Sequence, residues 1–245
     1  MTVYQEVQAN WEELCQVRHA LHRCPELGHR EEKTVEIIRA CLERWGIPAE
    51  GRYDTGLTAR IRGGKPGKLL ALREDMDALP MEENTGLPFA SEIPGMCHAC
   101  GHDVHTAALL GCAQVLSRRR EELRGDVLLV FQCAEETFDG AAAMLARGLF
   151  QKETPQAVVG FHCEPGLPVG TMGVRRGISN ASCDSIRIRV DGRGGHGAHP
   201  ESCVDPIVLG AGLLMELQTL VSRVNRPTDP VVLTFGEFHG GTAPN

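Results

Sequence analysis

The sequence predicts an α/β fold followed by a smaller α+β unit. Three observations support this prediction: helical and strand-like segments alternate, several strands are near-continuous apolar runs, and the pattern changes near Gly177. Apolar strands of this kind are typical of a sheet that helices cover on both faces. The sequence therefore predicts two domains, residues 1–176 and residues 177–245.

The elements of the first domain follow from the spacing of its apolar residues. Helices are predicted where these residues recur every three or four positions, and strands where they are continuous. The predicted helices span residues 3–22, 31–45, 103–120 and 139–148. The predicted strands span residues 57–62, 68–73, 126–131 and 157–161, the last two buried. A turn at 63–67 joins the first two strands, and a long loop covers 75–101.

The second domain has a different pattern of apolar and charged residues. Residues 185–190 alternate apolar and charged side chains, which is typical of a half-exposed antiparallel strand. A helix is predicted over 204–224 and a strand over 231–235. The longest apolar run, 206–215, is shorter than the roughly 20 residues that a transmembrane helix needs. We therefore expect a small α+β domain and no membrane partner.

Composition and charge argue against several classes of protein. The 245 residues are 42% hydrophobic and have a formal net charge of −7, which argues against nucleic acid as a partner. The first residues are polar and acidic, so the sequence predicts no signal peptide. The ten cysteines lie in predicted helices and strands as often as in loops. This distribution favours a reduced cytoplasmic protein with mostly buried thiols over a disulfide scaffold.

The densest group of metal-binding residue types lies between Cys97 and His105. Cysteine and histidine at this spacing suit zinc or a similar divalent ion. The segment precedes a predicted helix, and a helix N-terminus lowers the pKa of a thiol. Two alternatives remain open. One is a redox pair formed by Cys97 and Cys100, and the other is a zinc knuckle of both cysteines with His102 and His105.

Acidic and histidine side chains also follow successive predicted strands. Asp75 follows the second strand, Glu135 and Glu136 follow the third, and His162 follows the fourth. Ligand sites of α/β sheets lie at the carboxyl ends of strands. In a carboxylate pair, one member can bind metal while the other moves protons. These strand ends, together with the cysteine and histidine segment, predict one metal-dependent catalytic site.

Six short motifs occur in order along the whole chain. They are REDMDALP at 73–80, GMCHACGHDVHTAALLG at 95–111, FQCAEE at 131–136, GFHCEP at 160–165, GRGGH at 192–196 and GGTAPN at 240–245. Together they resemble the M20 metallopeptidase family, in particular its amidohydrolases of the aminoacylase, hippurate hydrolase and auxin-conjugate hydrolase types. The resemblance implies a zinc-peptidase-like mixed sheet flanked by helices and a smaller lid domain that often forms dimers.

The resemblance also implies roles for individual residues. Four of them would bind two divalent ions, with zinc, manganese, cobalt and nickel all open: Cys100, His102, Glu136 and His162. Glu135 would be the general base and acid, and Asp75 would orient a metal ligand. From the lid, His196 would enter a partner subunit's site and polarise the scissile carbonyl, assisted by Asn245.

The implied activity is hydrolysis of the amide bond of N-acyl amino acids by a metal-activated water in the cytoplasm. The implied partners are the small-molecule substrate and a second copy of the chain, bound through the lid. In the family, the chain returns from the lid to the catalytic domain and adds a last metal-binding histidine, for which no residue follows Asn245. We therefore expect a C-terminally truncated chain that is a poor catalyst by itself. A non-enzymatic, metal-binding remnant of the family is the alternative.

Overall fold

The computed structural model describes residues 1–243, which form two units. By its internal contacts the chain divides between Pro168 and Val169. The predicted boundary after residue 176 lies a few residues further along. The catalytic and lid roles of the two parts stay predictions.

The first unit contains a five-stranded mixed sheet. Its strands are β1 Ala49–Tyr53, β2 Gly56–Ile61, β3 Leu70–Asp75, β4 Val127–Gln132 and β5 Ala157–Val159. Their order is β1-β2-β4-β3-β5. The pairs β1–β2 and β2–β4 are antiparallel, whereas β3 runs parallel to both β4 and β5. The mixed α/β sheet flanked by helices confirms the predicted fold class.

The position of β4 corrects one prediction. The turn at 63–67 was expected to join two neighbouring strands, but β4 lies between β2 and β3 and pairs with both. All six residues of β4 are buried. A strand that is apolar throughout is most stable in the middle of a sheet covered on both faces, which accounts for this central place.

Helices pack against this sheet. They are α1 Val3–Ala9, α2 Trp11–Arg23, α3 Glu32–Arg44, α4 His102–Arg118 and α5 Gly140–Ala146, with a short 3₁₀ turn at Arg120–Glu122. The helix predicted over 3–22 is interrupted at Asn10, whose side-chain amide donates to the Glu6 carbonyl at 2.8 Å. Asparagine side chains compete in this way with the backbone hydrogen bonds of a helix.

The core lies between the sheet and the helices. Its largest fully buried side chains include Leu21, Ile38, Leu110, Leu129 and Phe131. β5 departs from the prediction of a buried strand, because Val158 and Val159 are 53% and 51% exposed. β5 pairs with β3 on one side only, so it forms the edge of the described sheet.

The second unit contains little regular structure in its described part. It has a 3₁₀ turn at Pro200–Ser202, α6 at Pro206–Thr219 and a π-helical turn at Leu220–Val224. The strands predicted at 185–190 and 231–235 are not formed. A strand requires a partner for its N–H and C=O groups, and neither segment belongs to a described ladder.

One helical stretch within residues 1–243 is long and apolar enough to cross a membrane by length and composition alone. It runs from Pro206 to Val224, beyond the end of the predicted apolar run. Only 6% of its most apolar 18-residue segment is buried. Apolar helices of this length also occur in the cores of soluble proteins, so no membrane partner follows from this stretch.

All ten cysteines are free thiols, consistent with the expectation that they do not form a disulfide scaffold. Cys41, Cys97 and Cys133 are buried, Cys112 and Cys183 are exposed, and the other five are intermediate. The expectation that most thiols are buried is therefore wrong.

Candidate metal centre

The ends of four elements of the first unit meet at one edge of the sheet. β3 ends at Asp75, β4 ends shortly before Glu135 and Glu136, β5 ends shortly before His162, and α4 begins at His102. Since β3, β4 and β5 are parallel, their carboxyl ends lie at the same edge. The topology therefore explains why residues far apart in sequence meet here.

A glycine directs the chain between two of the predicted ligands. Gly101 is the N-cap of α4 and has a φ of +90°, in the left-handed region that glycine adopts without strain. Cys100 precedes it and His102 is the first residue of the helix. The turn lets both side chains face the sheet edge.

The structure brings together all four predicted ligands and the predicted base. The ligand atoms of Cys100, His102 and His162 lie within 4.8 Å of one another, and the same holds for His102, Glu135 and Glu136. The Cys100 Sγ lies 3.4 Å from the His162 Nε2. The His102 Nε2 lies 3.7 Å from the Glu136 Oε1 and 3.9 Å from the Glu135 Oε2. Two groups of ligand atoms thus share His102.

Unpaired polar atoms show that these residues fit a metal ion. The His102 Nε2 and the Glu136 Oε1 are buried without a hydrogen-bond partner, whereas the His102 Nδ1 and the Asp77 Oδ1 lie 3.3 Å from each other. Leaving such a group unpaired costs about 1–3 kcal/mol, so native proteins rarely tolerate it. A mixed sulfur, nitrogen and oxygen donor set is compatible with zinc, manganese, cobalt or nickel. Divalent ions would satisfy these atoms.

The carboxylates around the Cys100 thiol change its expected pKa. Burial, together with the neighbouring carboxylates of Glu136, Glu135 and Asp75, raises the pKa of Cys100 to about 12. The predicted lowering of this pKa by a helix N-terminus is therefore wrong for the polypeptide alone. A bound cation reverses this balance, because it stabilises the thiolate. Burial likewise raises the pKa of Glu136, helped by the charge of Glu135.

Asp75 lies in the site, but its side-chain hydrogen bonds are with His105 and Arg73 rather than with a predicted metal ligand. It accepts hydrogen bonds from the His105 Nδ1 at 2.7 Å and the Arg73 Nη1 at 3.0 Å. Burial opposes ionisation, but the hydrogen bond from His105 and the charges of His102 and Arg73 lower the pKa of Asp75 to about 2. The His105 Nε2 accepts the Cys163 N–H at 2.9 Å. With both nitrogens engaged, His105 is not free to join a zinc knuckle.

Asp77 is a site residue that sequence reasoning missed. Its Oδ1 lies 3.3 Å from the His102 Nδ1, and its Oδ2 accepts the Glu136 N–H at 2.9 Å. Asp77 thus contacts two predicted ligands, whereas the Asp75 Oδ1 is 3.6 Å from the His102 Nε2. The spacing of two aspartates could have indicated it, since alternate residues of an extended chain share a face.

The redox alternative finds little support in the geometry. Cys97 is 4% exposed, and burial raises the pKa of its thiol. A redox dithiol requires an accessible thiol with a lowered pKa. Since the pKa values of Cys97 and Cys100 are both raised, the structure favours metal binding over a redox pair.

The two remaining predicted site residues belong to the second part of the chain. His196 is exposed, its Nδ1 accepts the Ala198 N–H at 3.1 Å, and its ring lies 5.3 Å from that of His199. Asn245 lies outside the described residues. The roles of both residues stay predictions.

The fold and the site define an α/β protein with a group of candidate metal ligands at the carboxyl edge of its sheet. Residues 71–241 match the model of peptidase family M20/M25/M40, and the chain belongs to this family. Two similar curated proteins are N-acetyl-L-cysteine deacetylase of Bacillus subtilis, 42% identical over 234 residues, and N-acetyldiaminopimelate deacetylase of Bacillus velezensis, 40% identical over 238 residues. These matches cover 95% and 96% of this chain but 56% and 63% of the relatives, so the chain spans only part of their length.

Solved structures give the same result. A protein of methicillin-resistant Staphylococcus aureus matches with a TM-score of 0.78 and 32% identity, covering 98% of this chain and 64% of that protein. The Bacillus subtilis YXEP protein, described as a dinuclear metal binding peptidase of the M20 family, matches with a TM-score of 0.66 and 44% identity. That match covers 69% of this chain and 48% of the other. The predicted family is thus confirmed.

Proposed function

We propose that the protein is a metal-dependent amidohydrolase that cleaves the amide bond of N-acyl amino acids. The main supporting observation is the meeting of Cys100, His102 and His162 with Glu135 and Glu136 in a chain of the M20 family. Two similar proteins are named as deacetylases of N-acetyl-L-cysteine and of N-acetyldiaminopimelate. Both names describe the hydrolysis of an N-acyl amide.

The proposed ligands of two divalent ions are Cys100, His102, Glu136 and His162. Ions bound there would lower the pKa of a water molecule and polarise the substrate carbonyl. The ions are zinc, manganese, cobalt or nickel, since the donor set accepts each of them. Asp77 orients His102 and Glu136 through its two carboxylate oxygens, and Asp75 fixes His105 beside them.

The two glutamates divide their roles according to their surroundings. The Glu136 side chain is 19% exposed and its backbone N–H is bound by Asp77, which suits a fixed ligand. The Glu135 side chain is 35% exposed and therefore accessible to water and substrate. Glu135 would take a proton from the attacking water and return it to the leaving amine.

The second part of the chain has a proposed role in binding substrate. It would act as a lid and dimerisation domain over 177–245, against a catalytic domain over 1–176. His196 would donate to the substrate carbonyl in the site of a partner subunit, with Asn245 on the same oxygen. These roles and the homodimer are supported by the resemblance of the motifs alone. The cytoplasmic location is supported by the distribution of the ten cysteines.

Hydrolysis of N-acetyl and N-benzoyl amino acids by the metal-loaded full-length protein tests the proposal, with bound metal measured in parallel. Glu135→Gln should lower kcat by about 10²–10⁴-fold because proton transfer is lost, while the metal content stays unchanged. Glu164→Gln is the matched control, since Glu164 lies in an exposed turn of the same unit. Hydrolysis that survives chelation would contradict the proposal. Bound metal without any hydrolysis would favour the non-enzymatic remnant.

A further inference from the structure

His162 is the proposed ligand with the least regular structure around it. β5 ends at Val159, three residues earlier, and His162 lies on an exposed segment. Its own Nδ1 contacts only the carbonyl of the next residue, Cys163, at 2.7 Å. Neither a strand nor a helix therefore fixes the direction of its ring.

A buried glutamate binds the backbone on one side of His162. Glu74, on β3, is 5% exposed, and its Oε1 accepts the Phe161 N–H at 2.9 Å. The β3–β5 ladder ends at the pair Leu72 and Val159, so this side chain continues the pairing past the strand. Gly160 permits the close approach, because a Cβ there would lie 2.8 Å from the Arg73 carbonyl oxygen.

A buried histidine binds the backbone on the other side. His105, on α4, is fully buried, and its Nε2 accepts the Cys163 N–H at 2.9 Å. Its Nδ1 donates to Asp75 at 2.7 Å, which leaves the Nε2 lone pair free to accept. The ring also lies edge-on to that of His162, with centroids 4.7 Å apart.

We propose that Glu74 and His105 are positioning residues that together fix the metal ligand His162. They capture the N–H groups of Phe161 and Cys163, the residues directly before and after it, and we call this pair of contacts the His162 clamp. Outer contacts of this kind, when removed, typically cost about 10–100-fold in metal affinity or activity. The inference rests on the proposed function only in treating His162 as a ligand.

Two substitutions of Glu74 test the clamp. Glu74→Leu removes the acceptor for the Phe161 N–H at similar side-chain volume, whereas Glu74→Gln keeps an oxygen acceptor and is the matched control. The measurement is a titration of the full chain with Co²⁺, whose visible spectrum reports the number and geometry of its ligands. We expect about 10–100-fold weaker cobalt binding and an altered spectrum for Glu74→Leu, but not for Glu74→Gln.

A second pair of variants tests whether the two contacts act on the same ligand. His105→Phe removes the acceptor for the Cys163 N–H and keeps a ring. The losses of cobalt affinity in Glu74→Leu and His105→Phe should be non-additive in the double variant, because both act through His162. His162→Ala should lose as much affinity as the double variant.

Amide hydrogen exchange of the unchanged chain tests the clamp without any substitution. The N–H groups of Phe161 and Cys163 should exchange more slowly than that of Glu164, an exposed residue of the same segment. Rapid exchange at Phe161 and Cys163, or wild-type cobalt binding by Glu74→Leu, would overturn the proposal. Wild-type cobalt binding by His162→Ala would overturn it as well. If the clamp passes these tests and the full-length protein has no hydrolytic activity, the clamp stands and the proposed function alone is refuted.

Discussion

Four carboxylates surround the ring of His102. Oxygens of Asp75, Asp77, Glu135 and Glu136 lie 3.3–3.9 Å from its nitrogens. Burial favours the neutral ring, but the carboxylate of Asp77 and the charges of Asp75 and Glu136 outweigh it and raise the pKa of His102. Since only a neutral histidine binds metal, a cation at this site takes the place of a proton.

His29 is a second histidine with a raised pKa, away from the candidate metal centre. Its Nδ1 binds Asp54 and its Nε2 binds Asp139 at 2.9 Å, and these hydrogen bonds raise its pKa. Arg147 pairs with Asp54 at 2.9 Å, and Arg52 donates to the Asp54 carbonyl. A pKa raised on folding means that the protonated ring stabilises the protein below the unfolded pKa of about 6.5. This stabilisation is lost as pH rises through the elevated folded pKa.

We therefore predict a pH-dependent difference between the wild type and His29→Gln. The wild type should have the larger free energy of unfolding at pH 5–6, and the difference should shrink as pH rises above about 6.5. Urea unfolding of both proteins across this range measures it. A difference that grows towards alkaline pH would show that the ring is stabilised in its neutral form.

The loop between β4 and α5 is held in a strained conformation. Ala134 has a φ of +50°, which a residue with a side chain rarely adopts. Its N–H donates to the fully buried Glu31 at 2.8 Å, and its carbonyl accepts the Gly140 N–H at 3.0 Å. Glu31 also accepts the Thr55 hydroxyl. The turn that orients Glu135 and Glu136 thus depends on a carboxylate from the start of α3.

Removing that carboxylate should destabilise the first unit. We expect Glu31→Leu to lower the free energy of unfolding by about 2–4 kcal/mol, because the Ala134 N–H and the Thr55 hydroxyl lose their buried acceptor. Glu31→Gln should cost less than about 1 kcal/mol, since an amide can serve both partners without a buried charge. Urea denaturation of the three proteins provides the measurement. Equal losses in both variants would assign the effect to charge.

The spacing of apolar residues was sufficient to predict most helices and strands of the first unit. It did not reveal β1, whose sequence AEGRY lacks an apolar pattern. The spacing of apolar residues indicates the type of an element but not the strand with which it pairs. It therefore did not show that β4 lies between β2 and β3. Nor did it show that the segments 185–190 and 231–235 lack a partner strand. The candidate ligands could be named from the resemblance of the motifs, with support from the position of Glu136 and His162 after strand ends. The contacts of Glu74 and Glu31 depend on tertiary packing and could not be predicted, whereas the spacing of Asp75 and Asp77 could have indicated Asp77.

At the scale of the molecule, metal binding should stabilise the chain. The proposed ligands come from α4 and from the segments after β4 and β5, so a bound ion ties these parts of the first unit together. A ligand that binds only the folded state adds about 2.7 kcal/mol at 100 times its Kd. We expect Zn²⁺ to raise Tm relative to a chelated sample.

The variant His162→Ala supplies the control for this measurement, because it lacks one proposed ligand. Its Tm should respond much less to Zn²⁺, while its chelated sample should melt close to the chelated wild type, since His162 is exposed. An equal rise of Tm in both proteins would place the zinc elsewhere on the chain.

The reversal of strand direction at β4 divides the sheet into halves with different sensitivity to sequence change. The parallel half presents its carboxyl ends to the metal centre. The antiparallel half, β1 and β2, brings the turn at Asp54 and Thr55 to that edge. This turn is linked to the loop of Glu135 from Thr55 through Glu31, and from Asp54 through His29 to Asp139. Substitutions in β1 and β2 themselves should therefore change how long the molecule stays folded, whereas those in the parallel half or in the turn at Asp54 and Thr55 should alter its chemistry.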